Sequence, residues 1–292
     1  MVDLDLAQLR ALAAVVDEGS FDAAAVALHV TPSAVSQRIK ALEQSAGRVL
    51  VRRTKPTEPT EAGHGYLRLA RQVESLVQDL RVDMDPEQRP PTIPIAVNGD
   101  SLATWVLPAL AGLSGTAYFD VRREDEGRTA DLLRSGTVMA AITSDAAPVQ
   151  GCRSTRLGTM RYRPMASPAF VKRWFGAGVD VPSLGLAPVV VFDRSDDLQD
   201  AYLRQRSRQR LVPPRQHIPA SSQFAEAIAL GLGWGMLPKD QSEEQERAGL
   251  LVNLDPGRHV DVTLHWQQWT LHTPALEATA RAIRQAAAAR LD

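Results

Sequence analysis

Apolar residues recur at helical spacing from the beginning of the chain. Leu9, Leu12, Ala13 and Val16 stand at i, i+3, i+4 and i+7, which predicts an amphipathic helix. Gly19-Ser20 interrupts it, and Ser20 is placed to cap a second helix along Phe21, Ala24, Ala25 and Leu28. This helix is short and rich in alanine, so a neighbour can approach it closely. Thr31-Pro32 reads as the N-cap and first-turn proline of a third helix, with Val35, Ile39, Leu42 and Ala46 on one apolar stripe. Residues 49–51 then suit a short strand, and Pro56 and Pro59 a turn and exit. Ala62, Tyr66, Leu69, Val73, Leu76 and Leu80 follow at alternating steps of four and three, the seam of a helix that needs a partner, with Met84 one turn further on. Thr60-Glu61 starts this helix. At ~1.5 Å per residue it would span about 39 Å before the breaker DPEQRPP, and the seam predicts a free-standing connector that pairs with its own copy.

From Thr92 the pattern changes to strands alternating with helices. Strands are predicted over residues 93–97, 117–122, 138–143, 189–192, 216–219 and 260–269. Helices are predicted over 101–113, 128–134, 197–206, 224–232 and 275–291. Such alternation implies α/β domains with mainly parallel sheets, in which ligands bind at the carboxyl ends of strands.

The polar side of the third helix changes the picture. Ser33, Ser36, Gln37 and Lys40 share the face opposite the apolar stripe, and Arg38 flanks them. A helix that packs on one side and offers hydroxyl, amide and cationic groups on the other is what the major groove requires. Gln pairs with adenine, while Arg and Lys pair with guanine or phosphate. The alternative is an ordinary solvated stripe, but such stripes usually carry Glu, and the only acid in this helix is Glu43 near its far end. Charge agrees. Residues 1–30 carry Arg10 against five acids, whereas residues 31–72 carry eight cations against three acids. Arg52, Arg53 and Lys55 would sit on a wing beside the helix, within reach of phosphate or the minor groove.

Composition excludes several classes. The chain has 292 residues, a formal net charge of −1, 44% hydrophobic and 23% charged residues, which is globular and neither disordered nor a disulfide scaffold. Its single cysteine, Cys152, has no internal partner, as in a reducing compartment. The first residues do not resemble a signal peptide, and the longest apolar run, residues 227–238, is short of the ~18 residues a membrane span needs. A cytoplasmic protein with no membrane partner is expected. The histidines show no metal-ligand spacing, and there is no nucleophile elbow or P-loop, so no metal and no cofactor are expected. Gly231, Gly233 and Gly235 around Trp234 read as tight helix-to-strand packing.

The second region offers a ligand site. Asn98-Gly99-Asp100-Ser101 forms a strand-to-helix turn, where Ser101, Thr104 and backbone N–H groups would hold a carboxylate. Asp100 and Asp125 lie at strand ends, FDRSDD places Asp193, Asp196 and Asp197 at a similar point in the second half, and Ser221 and Ser222 open another helix. For any single one of these acids, helix capping is the commoner role. Together they point to a cationic amino acid such as lysine or arginine.

The segment FDAAAVALHVTPSAVSQRIKALEQSAGRVLVRR followed by TEAG resembles the winged helix-turn-helix of LysR-type transcriptional regulators, through Phe21, Ala24, Ala25, Leu28, Ser33, Val35, Ser36, Ile39, Leu42, Glu43, Gly47, Arg52, Thr60, Ala62 and Gly63. It departs from the family pattern at Val51, where an aromatic is usual, and at Pro59, where an aliphatic is usual. VNGDSLATW, MRYRPMAS, FDRSDDLQ and GLGWGMLP resemble the ArgP/LysG branch of the family, which senses basic amino acids and activates an amino-acid exporter gene. The resemblance covers the whole chain. It implies an α+β multidomain protein: a winged helix-turn-helix over 1–59, a dimerising linker helix and hinge over 60–91, and a two-lobed α/β effector domain over 92–292 that resembles periplasmic binding proteins. Lobe I would take about 92–162 and 267–292, and lobe II about 163–266. Thr31, Ser33, Ser36, Gln37, Arg38, Lys40, Arg52, Arg53 and Lys55 would contact DNA. Asp100, Ser101, Thr104, Asp125, Thr143, Asp193 and Ser222 would line the effector pocket. Tyr66, Leu69, Val73, Leu76 and Leu80 would dimerise. Double-stranded operator DNA, an amino-acid effector, RNA polymerase and further copies of the chain, as a homodimer or dimer of dimers, are the implied partners. Two alternatives stay open: an architectural DNA binder with a non-sensing C-terminal domain, and an α/β enzyme acting on amino acids.

Overall fold

A computed structural model of the chain describes residues 4–85, 89–124 and 126–292. Three helices open it: α1 (Leu6–Asp17), α2 (Phe21–Ala27) and α3 (Pro32–Ala46). Each begins at a short polar side chain that accepts from the first turn. Asp5, Ser20 and Thr31 accept from the amides of Ala7, Ala23 and Ala34 at 2.6, 3.1 and 3.2 Å. Helix α3 ends at Gly47, which adopts the left-handed conformation at φ 64°. Val35, Ile39 and Leu42 are completely buried against Leu12, Val15 and Ala24.

The wing is shorter than the apolar run implies. Only β1 (Val51–Arg52) and β2 (Glu58–Pro59) pair, antiparallel, with Val51 opposite Pro59 and Arg52 opposite Glu58. Val49 is exposed because the Leu50 and Val51 amides turn inward to the Glu43 carboxylate, at 2.8 and 3.4 Å. Glu43 is therefore the residue that ties the wing to α3. Thr60 closes the other side. Its hydroxyl donates to the Val49 carbonyl at 2.7 Å and accepts from the Gly63 amide at 3.0 Å, the N-cap of α4 (Glu61–Met84).

Helix α4 is not free-standing along its whole length. Leu67 and Ala70 belong to the DNA-binding core, and Tyr66 and Leu69 pack against it. The first three positions of the seam, Ala62, Tyr66 and Leu69, are thus engaged within the chain, because α4 packs along α1 and Arg71 pairs with Asp17. Beyond Val73 the seam is open, with Leu76, Leu80 and Met84 47%, 58% and 78% exposed. One turn of α4 also meets the second body. The Arg68 guanidinium donates to the Gln150 carbonyl at 2.6 Å, and a Cβ at Gly136 would come within 2.7 Å of the Arg68 Cα.

The second body contains β3 (Thr92–Val97), α5 (Gly99–Ser101) running through a π-helical stretch (Leu102–Val106) into α6 (Leu107–Ala111), β4 (Tyr118–Arg123), α7 (Glu126–Arg134), β5 (Ala140–Thr143) and the long β6 (Cys152–Ala166). Then come α8 (Pro168–Trp174), α9 (Val181–Leu186), β7 (Val189–Val191), α10 (Leu198–Arg206), β8 (Arg215–His217) and α11 (Ser221–Ala229). The order closes with β9 (Gly235–Pro238), α12 (Lys239–Arg247), β10 (Val252–Asn253), β11 (Val260–Trp269) and α13 (Pro274–Arg290). Strand β3 is parallel to β4 and β5, and β7 is parallel to β8. The sheet is nevertheless mixed, not mainly parallel, because β11 runs antiparallel to β5 and β6, and β9 and β10 antiparallel to β6. Strands β6 and β11 both pass from one lobe to the other, and a chain that goes out on one must return on the other. Opposite Gly158 on β6, a bulge between Leu264 and His265 on β11 shifts the register of this pair. Lobe I holds β3, β4, β5 and the adjoining ends of β6 and β11. Lobe II holds β7 to β10 and the other ends.

Buried Gln267 on β11 fixes the loop that meets α4. Its Nε2 donates to the Asp145 and Ala147 carbonyls, both at 2.9 Å, and its Oε1 accepts from the Val149 amide at 3.1 Å. The glycine-tryptophan run packs as read: Trp234 is fully buried, and a Cβ at Gly233 would stand 2.9 Å from the Pro188 carbonyl oxygen.

A Cβ at Gly63 would overlap the Leu50 carbonyl, which is backbone and cannot yield cheaply. Gly63→Ala is expected to cost at least about 2 kcal/mol of DNA-binding-domain stability. An unchanged thermal unfolding midpoint would show that α4 does not press on the wing as described.

Candidate DNA interface and ligand cleft

The polar face of α3 reaches the surface. Thr31, Ser33, Gln37 and Lys40 are exposed, and Ser36 and Arg38 are half-buried. Thr31 is partly engaged, since its hydroxyl caps the helix and lies 3.0 Å from the Ser33 hydroxyl. Arg52, Arg53 and Lys55 are exposed on the wing. The Arg53 guanidinium lies 4.9 Å from the centre of the Phe21 ring, which holds this cation beside α2. Exposed polar and cationic side chains therefore stand on both α3 and the wing.

Between the lobes lies a cavity of about 530 Å³. Lobe I contributes Asn98, Gly99 and Asp100. The crossing strands contribute Tyr162, Val260 and Val262. Lobe II contributes Phe192, Asp193, Ser195 to Leu198, Ala201, Phe224, Met236 and Leu237. The lining combines four carboxyls with apolar side chains. Asp100 accepts from the Tyr162 hydroxyl at 2.9 Å and from the Ser221 hydroxyl. Burial pushes its carboxyl above the usual carboxylate range, the two hydroxyl bonds work against that, and nearby Asp196 adds to it. Asp196 is raised too, by burial first, although the Phe192 and Leu198 amides donate to it at 2.8 and 3.0 Å. Both groups therefore favour the folded state fully when protonated. That contribution is lost as pH rises through their elevated titration range.

Of the expected effector residues, Asp100 and Asp193 line this cavity. Ser101 lies behind it, fully buried, with a hydroxyl oxygen that has no hydrogen-bond partner. Three others are placed elsewhere. Thr104 is outside the cavity, and its hydroxyl donates to the Asp100 carbonyl one turn back at 2.6 Å. Thr143 is buried and caps the following turn by accepting from the Asp145 amide at 3.1 Å. Ser222 faces solvent, because the helix start turns Ser221 inward instead. Asp125 lies outside the described residues. Asn98, Tyr162 and Phe192 are among the lining residues that the sequence did not single out. Among them Asn98 has a buried Oδ1 with no partner. No helix among the described residues is long and apolar enough to cross a membrane.

A winged helix-turn-helix carried by a long helix on a two-lobed α/β body with a cleft defines a DNA-binding regulator with its own ligand-binding domain. The bacterial regulatory helix-turn-helix protein model of the lysR family matches residues 6–64, and the LysR substrate binding domain model matches residues 87–288. The chain belongs to the LysR family of transcriptional regulators. It is 41% identical over 286 residues, 97% of this chain and 98% of the relative, to the lysine export transcriptional regulatory protein LysG of Corynebacterium efficiens. The crystal structure of ArgP from Mycobacterium tuberculosis superposes with a TM-score of 0.92 at 44% identity, covering 99% of both chains. Full-length LysG from Corynebacterium glutamicum with bound effector Arg superposes at 0.83 and 36% identity, again over 99% of both chains. These relatives are regulators, which sets aside the enzyme alternative.

Gln37→Ala is expected to weaken operator binding by roughly 1–3 kcal/mol and to relax base choice at one position. An unchanged preference in a binding-site selection would refute base reading by Gln37. Lys55→Ala should instead lower affinity on every sequence and flatten the salt dependence, and a loss confined to one sequence would contradict a phosphate role.

Proposed function

We propose that this chain is a homodimeric transcription regulator that activates an amino-acid exporter gene when lysine or arginine occupies the cleft. Residues 1–59 bind the operator, 60–91 link and dimerise, and 92–292 sense the effector. Ser33, Ser36, Gln37, Arg38 and Lys40 read one half-site, and Arg52, Arg53 and Lys55 hold its phosphates. Val73, Leu76 and Leu80 supply the dimer seam, which sets two recognition helices about 34–36 Å apart. RNA polymerase is the further partner at the promoter.

The observation that carries the effector is the pairing of carboxyls with apolar side chains in one cavity. A cavity that holds Asp100, Asp193, Asp196 and Asp197 together with Met236, Val260 and Val262 accommodates an aliphatic stem ending in a cation. The relative solved with arginine shares this fold over its whole length, which supports the same class of ligand here. Closure of the lobes on the ligand would shift α4 through lobe I, with a coupling of about 1–3 kcal/mol between effector and operator.

Calorimetry of the full-length protein with lysine, arginine and histidine tests this. Saturable heat is expected with lysine or arginine. The affinity should fall on acidification from neutral pH, beginning above the ordinary carboxylate range, because Asp100 and Asp196 take up protons early. No heat with any of the three would favour an architectural DNA binder with an inert C-terminal domain.

A further inference from the structure

The acids lining the cavity are not equivalent. Asp193 accepts from the Ser195 amide and hydroxyl at 2.7 and 2.6 Å and from the Asp196 amide at 3.1 Å. Asp196 is held by the Phe192 and Leu198 amides. Asp197 is paired with Arg204, at 3.0 Å through one guanidinium nitrogen and 2.5 Å through the other. These three shape and cap their own loop. Asp100 is different. It stands on lobe I, and its carboxylate oxygens accept from hydroxyls on two other elements: Tyr162 on β6 and Ser221 at the start of α11 in lobe II. Among the described residues no arginine, lysine or histidine compensates it, and the charge that acts on it is the acid Asp196.

We propose that Asp100 makes this cleft select a positively charged side chain over an uncharged one of the same shape, and that the same carboxylate couples selection to lobe closure by holding Ser221 across the cleft. The proposal rests on the reading that the cleft takes a basic amino acid. Asp100 is half-buried and meets hydroxyls but no cation, and withdrawal of a carboxylate from water without a counter-ion is unfavourable and raises its titration range. A ligand cation supplies the missing charge. A neutral isostere leaves the penalty in place and gains only shape. The Asn98 Oδ1, buried beside it without a partner, is placed to accept a second N–H of such a ligand. Because the two oxygens of Asp100 face hydroxyls of two different elements, the ligand that stabilises the ionised form also strengthens the bonds that bring lobe II onto lobe I.

The test is calorimetry of the full-length protein with arginine and with citrulline, which replaces the guanidinium by an uncharged ureido group of nearly the same shape. Wild type should prefer arginine by at least about 30-fold. In Asp100→Asn the preference should shrink to within about threefold, through loss of arginine affinity. The unliganded variant should melt no lower than wild type at neutral pH, since an uncompensated buried charge is gone. Ser221→Ala removes the clasp and keeps the charge, so it should weaken both ligands alike and preserve their ratio. It also keeps the proposal testable should Asp100→Asn not fold. An undiminished arginine preference in Asp100→Asn, or a preference abolished by Ser221→Ala, would overturn the proposal while leaving the effector reading intact. Failure of wild type to bind arginine or lysine would remove both.

Discussion

Leu67 and Arg68 are neighbours on one helix and serve different bodies. Leu67 is fully buried in the core that supports α3, while Arg68 reaches the Gln150 carbonyl and packs its backbone on Gly136 in lobe I. Successive residues on a helix point about 100° apart, so a single turn of α4 can hold two bodies at once. The loop that receives Arg68 is itself held by Gln267, which stands on β11 just past its bulge. The recognition face and the ligand cleft are therefore connected by short, hydrogen-bonded and tightly packed segments.

The same economy of structure appears in each body. In the DNA-binding domain, burying Val35, Ile39 and Leu42 forces Ser33, Gln37 and Lys40 outward, and Glu43 joins that helix to the wing that carries the cations. In the sensing body, the two crossing strands create the cleft and line it, through Tyr162, Val260 and Val262. Carboxyls that burial holds above their usual titration range, set among apolar side chains, suit a cation on an aliphatic stem, because a bound cation favours their ionised form.

Much of this was legible in the residues. The three N-terminal helices, the Ser20 and Thr31 caps of α2 and α3, the Thr60 cap of α4 and the outward face of α3 follow from period and capping chemistry alone, because each is decided by residues close in sequence. The β11 range was also readable, from ten residues rich in β-branched and aromatic types. What escaped was long-range. Strand β6 carries Arg153, Arg156, Arg161 and Arg163 and looks like a solvated loop until their partners are seen: Glu277, Thr159, Asp261 and Glu246 respectively. The alternation of buried Met160 and Tyr162 with those arginines was the available signal for a strand, and for Tyr162 as a cavity residue. Thr143 and Ser222 were expected in the pocket from position near a strand end and a helix start. A rotation of one residue, or one hydrogen bond to a turn, decides whether such a side chain faces a ligand, and that is not written locally. The seam of α4 was read as uniform, yet its first turns pack on α1, a contact between segments about 55 residues apart in sequence.

The central claim is that an outward-facing α3 reads an operator under control of a cationic amino acid in the cleft. Footprinting of the DNA upstream of neighbouring genes with the full-length protein, with and without lysine, arginine and histidine, tests it most directly. The account predicts a protected, dyad-related pair of half-sites whose protection or hypersensitivity pattern changes with lysine or arginine. A footprint identical in every condition, or no footprint at all, would contradict it.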